Sequence, residues 1–426
     1  MIKASAPRHP IRLIRRLSVA ALIMAAAGPA IADDFADRGD KTAQLSASTP
    51  QPTRFVVRGA SVIDRANGNK VFFRGVGYSP YVPGETPLYG ASPGDDDRYA
   101  EHFVHIAELG VNYLHVFPLL MPTGFFAELD KTDLAYGQDI WINGYAEDLL
   151  DEAFLTTTLA QIKAVIDHTY AVGRPDRLVL FSIGDELSTR SVTATDNKHP
   201  EVRDFRGKHV QVENRTPTEV ALARLIDAAI DYELTRHGQR HLYCHTSWTH
   251  IGPLADRPDL EVAPEHVLLP DMGDLICLNV YTYARGLVTS PPGSVTGTPY
   301  QGYLEELLAT TTQPVLITQV GLSTSPIAPK PEVPGWGGHR VADVPATFRS
   351  VWRDVRTAKG KEQLAGLVFF ELHDEWWKSG EHPEDSNRHE EGDPEEWFGL
   401  YEIGVDKRLT PKGRIPEAVR ALFAEP

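Results

Sequence analysis

Eight short apolar runs recur along the chain, most of them separated by longer amphipathic stretches, and this alternation limits the fold more than any other feature. In order they are KVFFRGVGYS, VNYLHVF, a weaker DIWINGY, RLVLFSIGDE, HLYCHTSW, DLICLNVYTY, PVLITQVG and LAGLVFFELHDE. Runs of this length, rich in β-branched and aromatic residues, read as buried strands, and the stretches between them read as helices. Asp97–Leu109 carries Phe103, Ile106 and Leu109 on one face and stops at Gly110; Asp151–Tyr170 carries Phe154, Leu155, Leu159, Ile162 and Ile166 in the same way. Thr216-Pro217-Thr218-Glu219 is a capping box with proline at the first helical position, and its helix runs to Gly238. Tyr303–Ala309 and Ala346–Ala358 fill the last two gaps. Eight strands with a helix after most of them predict an α/β fold, a (β/α)8 TIM barrel. The hairpin-like start RFVVRGASVIDRANGNKVFF predicts a lid on its bottom. An open doubly wound sheet is the alternative, but no glycine-rich phosphate loop follows the first strand.

The N-terminus stands outside this pattern. Lys3, Arg8, Arg12, Arg15 and Arg16 precede an apolar run from Leu17 to Ala27, and Ala30-Ile31-Ala32 fits a cleavage site. Residues 1–32 therefore read as a secretory signal peptide, cleaved after Ala32, and 33–52 as a polar, mobile leader. The expected location is periplasmic or secreted, with 53–426 as a single barrel domain and no membrane insertion. Removing residues 1–32 takes away five positive charges and no negative ones, moving the net charge from −16 to −21. So acidic a chain argues against nucleic acid as a partner and suits a neutral or basic substrate. A monomer is expected. The only cysteines, Cys244 and Cys277, lie in apolar strand-like runs and read as buried free thiols.

In a barrel of this kind the C-terminal strand ends build the active site. Those ends carry Tyr78, His115 or Phe117, Asp185 and Glu186, Trp248, Asn279 and Tyr281, Gln319, and then Glu371, Asp374 and Glu375. Several carboxyls with several aromatics and few cations point to carbohydrate chemistry. Aromatic rings stack on sugar faces, and paired carboxyls supply the acid and base of glycosidic cleavage.

The motifs FFRGVGYSP, AELGVNYLHVF, LFSIGDE, CLNVYTY, PVLITQVG and GLVFFELHDEWW, in this order over roughly residues 55–415, resemble successive strands of one group of enzymes. The group is the clan of retaining (β/α)8 glycoside hydrolases that includes families 2, 5, 17 and 72. The resemblance implies an acid/base glutamate at Glu186, a strand-six tyrosine at Tyr281, and a nucleophilic glutamate at the position of Gln319. Three departures follow. The clan's Asn-Glu pair is Asp185-Glu186, its strand-two arginine is replaced at about His115, and its nucleophile is an amide that forms no glycosyl ester.

Four explanations stay open. An inverting enzyme would use Glu186 as acid and Asp374, Glu375 or Glu371 as base, with carboxyls about 6.5–9.5 Å apart. A substrate-assisted enzyme would use Asp185-Glu186 alone, since IGDE also resembles the Asp-Glu pair of the family 20 hexosaminidases. A non-catalytic polysaccharide-binding barrel, or a nucleophile elsewhere because of a shifted strand seven, complete the set. Gln319, Tyr281, Asn279, Trp248, His245, His115, Tyr78, Glu371, Trp376 and Trp397 are the candidate sugar-binding residues. The acidic run GEHPEDSNRHEEGDPEEWFGLYE reads as a solvated loop from which Trp397 could close on the cleft. His245, Trp248 and His250 cluster in CHTSWTH, where a histidine lining a sugar site is the expectation rather than a metal ligand. The function expected is that of a glycoside hydrolase or transglycosylase on a β-linked glucan or related polysaccharide, without cofactor or metal.

Overall fold

The computed structural model describes residues 51–248, 264–284, 297–327, 336–378, 380 and 382–425. The expected signal peptide at 1–32, the expected leader as far as residue 50, and His250 lie outside the described residues.

Eight parallel strands close into a barrel. They are β1 (Phe73–Tyr78), β2 (Tyr113–Val116), β3 (Ala135–Ile140), β4 (Leu178–Asp185), β5 (Leu242–Trp248), β6 (Ile276–Asn279), β7 (Val315–Val320) and β8 (Leu364–Phe369). Each pairs with its neighbours in chain order, and β8 closes on β1 through the register Gly366↔Phe73. The (β/α)8 expectation holds. The helices are α1 (Arg98–Glu108), α2 (Thr123–Leu129), α3 (Glu152–Ala171), α4 (Thr189–Lys198), α5 (Pro217–His237), α6 (Pro299–Thr310), α7 (Val344–Thr357) and α8 (Ile415–Phe423). The helix α5 starts at the expected capping box, with Thr216 accepting from the Glu219 N–H and Glu219 accepting from the Thr216 N–H, and ends at Gly238 in the left-handed region.

The bottom of the barrel is closed as expected by a three-stranded antiparallel sheet of Phe55–Arg58, Ser61–Asp64 and Asn69–Lys70. Its Phe55 and Val62 join a buried cluster with Phe73, Leu180, Leu242 and Leu316. That plug removes the lower end from solvent, so the open end is the mouth where the strands finish. One strand departs from expectation. β3 is AYGQDI rather than DIWINGY, four residues earlier. Its Gln138 and Asp139 point to opposite faces and are both buried, so polar side chains break the apolar pattern by which strands are read. Cys244 and Cys277 are buried free thiols on adjacent strands. Among the described residues no helix is long and apolar enough to cross a membrane.

Candidate active site

A cavity of about 340 Å³ opens at the C-terminal ends of the strands. Tyr81, Trp141, Trp248, Tyr281, Trp336 and Trp377 give it aromatic walls; among the described residues its carboxyls are Asp185, Glu186, Glu375 and Glu395, and its one cation is Lys378. In a straight strand the neighbours Asp185 and Glu186 would point to opposite faces. Here Gly184 has φ 76° and Glu186 φ 46°, so two left-handed residues twist the strand end and both carboxyls reach the cleft. A side chain at Gly184 would press on Ile142, and a left-handed glutamate costs about 1–3 kcal/mol, strain typical of residues held in place for chemistry.

A continuous hydrogen-bonded chain fixes the pair. Asn279 Nδ2 donates to Asp185 Oδ1 at 2.9 Å and to Glu186 Oε1 at 2.7 Å, and its own carbonyl accepts from Thr318 at 2.8 Å. Gln319 Nε2 donates to Asp185 Oδ2 at 2.9 Å, while Gln319 Oε1 accepts from the Tyr281 hydroxyl at 2.6 Å. The Gln319 oxygen and one of its two N–H groups are thus committed within the protein, leaving one N–H for a ligand. Burial, and then the charge of Asp185, push the Glu186 carboxyl up to about 8, against the pull of Asn279. Glu186 is therefore neutral at pH 7. Asp185 is pushed up as well, by burial and by Asp139 behind it.

Beyond β8 the chain supplies the opposite wall. Glu375 accepts from Trp377 Nε1 at 3.1 Å and pairs with Lys378 at 3.3 Å, and Glu395 accepts from Trp336 Nε1 at 2.7 Å. Glu371, joined to Phe370 by a cis peptide, is buried behind this wall; burial and the charge of Glu375 push it well up. Among the described residues no group of three His, Cys, Asp or Glu could hold a metal ion.

No family description matches the chain, and no curated protein does. Solved structures do. A β-glucuronidase from Ruminococcus gnavus, in complex with a C6-substituted uronic isofagomine, superposes with TM-score 0.57 at 12% identity, over 86% of this chain and 52% of that one. A GH2 β-galacturonidase from Eisenbergiella tayi bound to galacturonate gives 0.55 at 13%, over 87% and 53%. Saccharomyces cerevisiae Gas2p with laminaritetraose and laminaripentaose gives 0.54 at 12%, over 88% and 68%. The chain shares its barrel with glycoside hydrolases. It spans about half the length of the β-glucuronidase and of the β-galacturonidase.

The sequence-derived candidates divide accordingly. Asp185, Glu186, Trp248, Tyr281, Gln319 and Glu375 line the cavity, and Asn279 lies directly beneath it, holding both acids. Asp374 does not line it. It is fully buried against Lys412 at 2.5 Å, because its backbone follows Tyr401 and turns the side chain under the Gly399 N–H. Tyr78 is buried against His102 at 2.9 Å, His115 against Tyr113 at 3.1 Å, and His245 donates to the Ile183 carbonyl at 2.9 Å; none of the three lines the cavity. Trp376 and Trp397 do not line it either, because they sandwich His389, with ring centroids at 5.2 and 3.6 Å. Sequence reasoning missed Lys378, Glu395, Tyr81 and Trp336 at the cleft. Lys378, three residues after Glu375, carried a readable signal; Glu395 was hidden in a run expected to be solvated, where the chain instead forms the turn Pro394–Trp397.

Proposed function

We propose that this protein is a glycoside hydrolase or transglycosylase acting on a β-linked glucan or related polysaccharide, with Glu186 as its general acid. The observation that carries the reading is the neutral Glu186 beside Asp185 in an aromatic-walled cleft at the mouth of a barrel shared with glycoside hydrolases. Glu186 gives its proton to the glycosidic oxygen as the C1–O bond breaks, and the leaving sugar departs as an alcohol. Water attacks C1 from the other face and loses its proton to a base. Glu375 is the best placed of the three strand-eight candidates, since it lines the cleft and Asp374 and Glu371 do not. Asp185 stabilises positive charge growing on the sugar, and Gln319, locked by Tyr281, holds Asp185 and offers its last N–H to a sugar hydroxyl or the water.

A second reading is favoured by the fixing of Asp185 by two amide donors. A carboxylate so held is suited to orienting an acetamido N–H, whose own carbonyl oxygen would then attack C1. Turnover of gluco-oligosaccharides against N-acetylglucosaminides separates the two, and proton NMR of the first-formed anomer reads the stereochemistry: inversion supports the first, retention on acetamido sugars alone the second. Binding of glycans with no turnover of any would overturn both.

Gln319→Glu provides a third measurement. A carboxylate there replaces an N–H donor with a like charge against Asp185, so kcat is expected to fall, on the order of 10²-fold. A gain of activity with the retained anomer formed first would show instead that the amide is dispensable.

A further inference from the structure

The wall that closes the cleft beyond β8 carries an uneven charge. Of its two glutamates, Glu375 is matched: Trp377 Nε1 donates to one oxygen at 3.1 Å and Lys378 pairs with the other at 3.3 Å. Glu395 is not. It sits in the turn Pro394–Trp397, half-buried and lining the cavity, with one oxygen accepting from Trp336 Nε1 at 2.7 Å. Its other oxygen has no partner among the described residues. It makes no ion pair among them either, since Lys378 attracts it from a distance and pairs with Glu375 instead. Asp393, in the same turn, and Glu375 add like charge, and burial pushes the Glu395 carboxyl up in the same direction. Its charge is felt in turn at Glu186 and at the hydroxyls of Tyr281 and Tyr283, which places it by the sugar nearest the acid.

A sugar that fills this cavity expels its water, and Glu395 then needs its charge matched from the ligand side. A neutral hydroxyl gives it a hydrogen bond and leaves the charge. A sugar carboxylate would bring like charge to a wall where Lys378 already answers Glu375 and feels Glu395 and Glu371. An ammonium supplies both the bond and the charge, and charge-assisted bonds are the stronger kind. The aromatic walls add to this, since a cation over Trp336, Trp377 or Tyr283 is attracted by the ring face. The chain as a whole carries 58 acidic against 42 basic side chains, a field that draws a polycation and repels a polyanion.

We propose that the substrate is a glycan of unacetylated amino sugars, and that Glu395 selects it by accepting the ammonium of the unit seated beside Glu186. This names the polymer for the glycosidase reading and rests on that reading. Glu395 is a specificity residue held in place by Trp336; bond breaking stays with Glu186.

Turnover of β-linked glucosamine oligosaccharides is compared with that of glucose, N-acetylglucosamine and glucuronate oligosaccharides of the same linkage and length, at mildly acid pH where the amines are charged. The wild type is expected to prefer the amine-bearing series by about 10–100-fold in kcat/KM, a preference that salt weakens. Glu395→Gln keeps an acceptor for Trp336 and should bring the ratio of the amine to the glucose series close to one, mainly through KM, whereas Glu395→Asp should keep part of it. A wild-type preference for any other series, or a ratio unchanged in Glu395→Gln, would overturn the proposal; a preferred glucuronate series would make Lys378 the selecting residue instead. If no series is turned over, the glycosidase reading fails and calorimetry decides the amine by itself. Tighter binding of the amine series by the wild type, lost in Glu395→Gln, supports its selection, and equal binding of all four series overturns it.

Discussion

Glu186→Gln is expected to lower kcat/KM on a natural glycan by about 10²–10⁴-fold while leaving the Kd for that glycan unchanged. The substitution is nearly isosteric, and the Asn279 amide that donates to Glu186 Oε1 finds an equivalent oxygen in glutamine. What is lost is the transferable proton. Substrates with nitrophenolate leaving groups need less protonation and should lose less, a split that identifies Glu186 as the acid rather than a binding group. The pH profile carries the same information. A general acid works only while protonated, so wild-type kcat/KM should fall as pH rises through about 8. In Glu186→Gln that limb disappears. Stability follows with a definite sign. The folded carboxyl sits above its ordinary 4.5, so the folded state binds the proton more tightly and loses stability as pH rises from the ordinary value through about 8. Glutamine has no such loss, so the Tm of the variant should gain on the wild type over that window. Wild-type turnover by Glu186→Gln, or a kcat/KM level through pH 8 and beyond, would remove Glu186 from the role.

The barrel was legible because β-branched and aromatic runs announce strands wherever their inward faces are apolar. β4 and β7 read correctly through to Asp185 and Gln319. β3 read four residues late because Gln138 and Asp139 are polar yet buried, and the same polarity hid Asp139 from view. Asp185 and Glu186 both read as cleft residues, although neighbours on a straight strand point to opposite faces. Only the left-handed backbone at Gly184 and Glu186 lets both face it, and a left-handed glutamate has no signature in sequence. After β8 alternation does not sort Glu371, Asp374 and Glu375, and of the three only Glu375 lines the cleft. Glu371 stays behind the wall because the chain does not continue as a strand past Phe369. Long-range partners were beyond reading altogether: nothing near Asp374 in sequence announces Lys412, and nothing near Trp397 announces that Trp376 and His389 will stack on it.

Lys412→Met is expected to destabilise the fold by about 3–5 kcal/mol, a fall in Tm of roughly 4–6 °C. The Lys412 ammonium is buried and makes three bonds, to Asp374 Oδ1 at 2.5 Å, Thr324 Oγ1 at 2.9 Å and the Trp397 carbonyl at 3.1 Å. It thereby ties the segments after β7 and β8 to the chain leading into α8. Without it Asp374 keeps the Gly399 N–H on one oxygen and no partner on the other, an uncompensated charge in the interior. Removing the charge as well should recover much of the loss, so Asp374→Asn with Lys412→Met is expected to be more stable than Lys412→Met alone. The same pair of variants settles which strand-eight acid can serve chemistry. Folded Asp374→Asn, assayed well below its Tm, should keep its kcat, because its carboxyl does not reach the cleft. Glu375→Gln should keep its Tm more nearly and lose kcat instead, since its carboxyl lines the cleft beside Lys378. An Asp374→Asn protein of unchanged Tm and abolished turnover would reverse the assignment and place the base on Asp374. The contrast works because Asp374 and Lys412 are closed in away from the cleft, where the pair serves only the fold, whereas Glu375 and Lys378 form their pair on the cleft wall, where it meets the substrate.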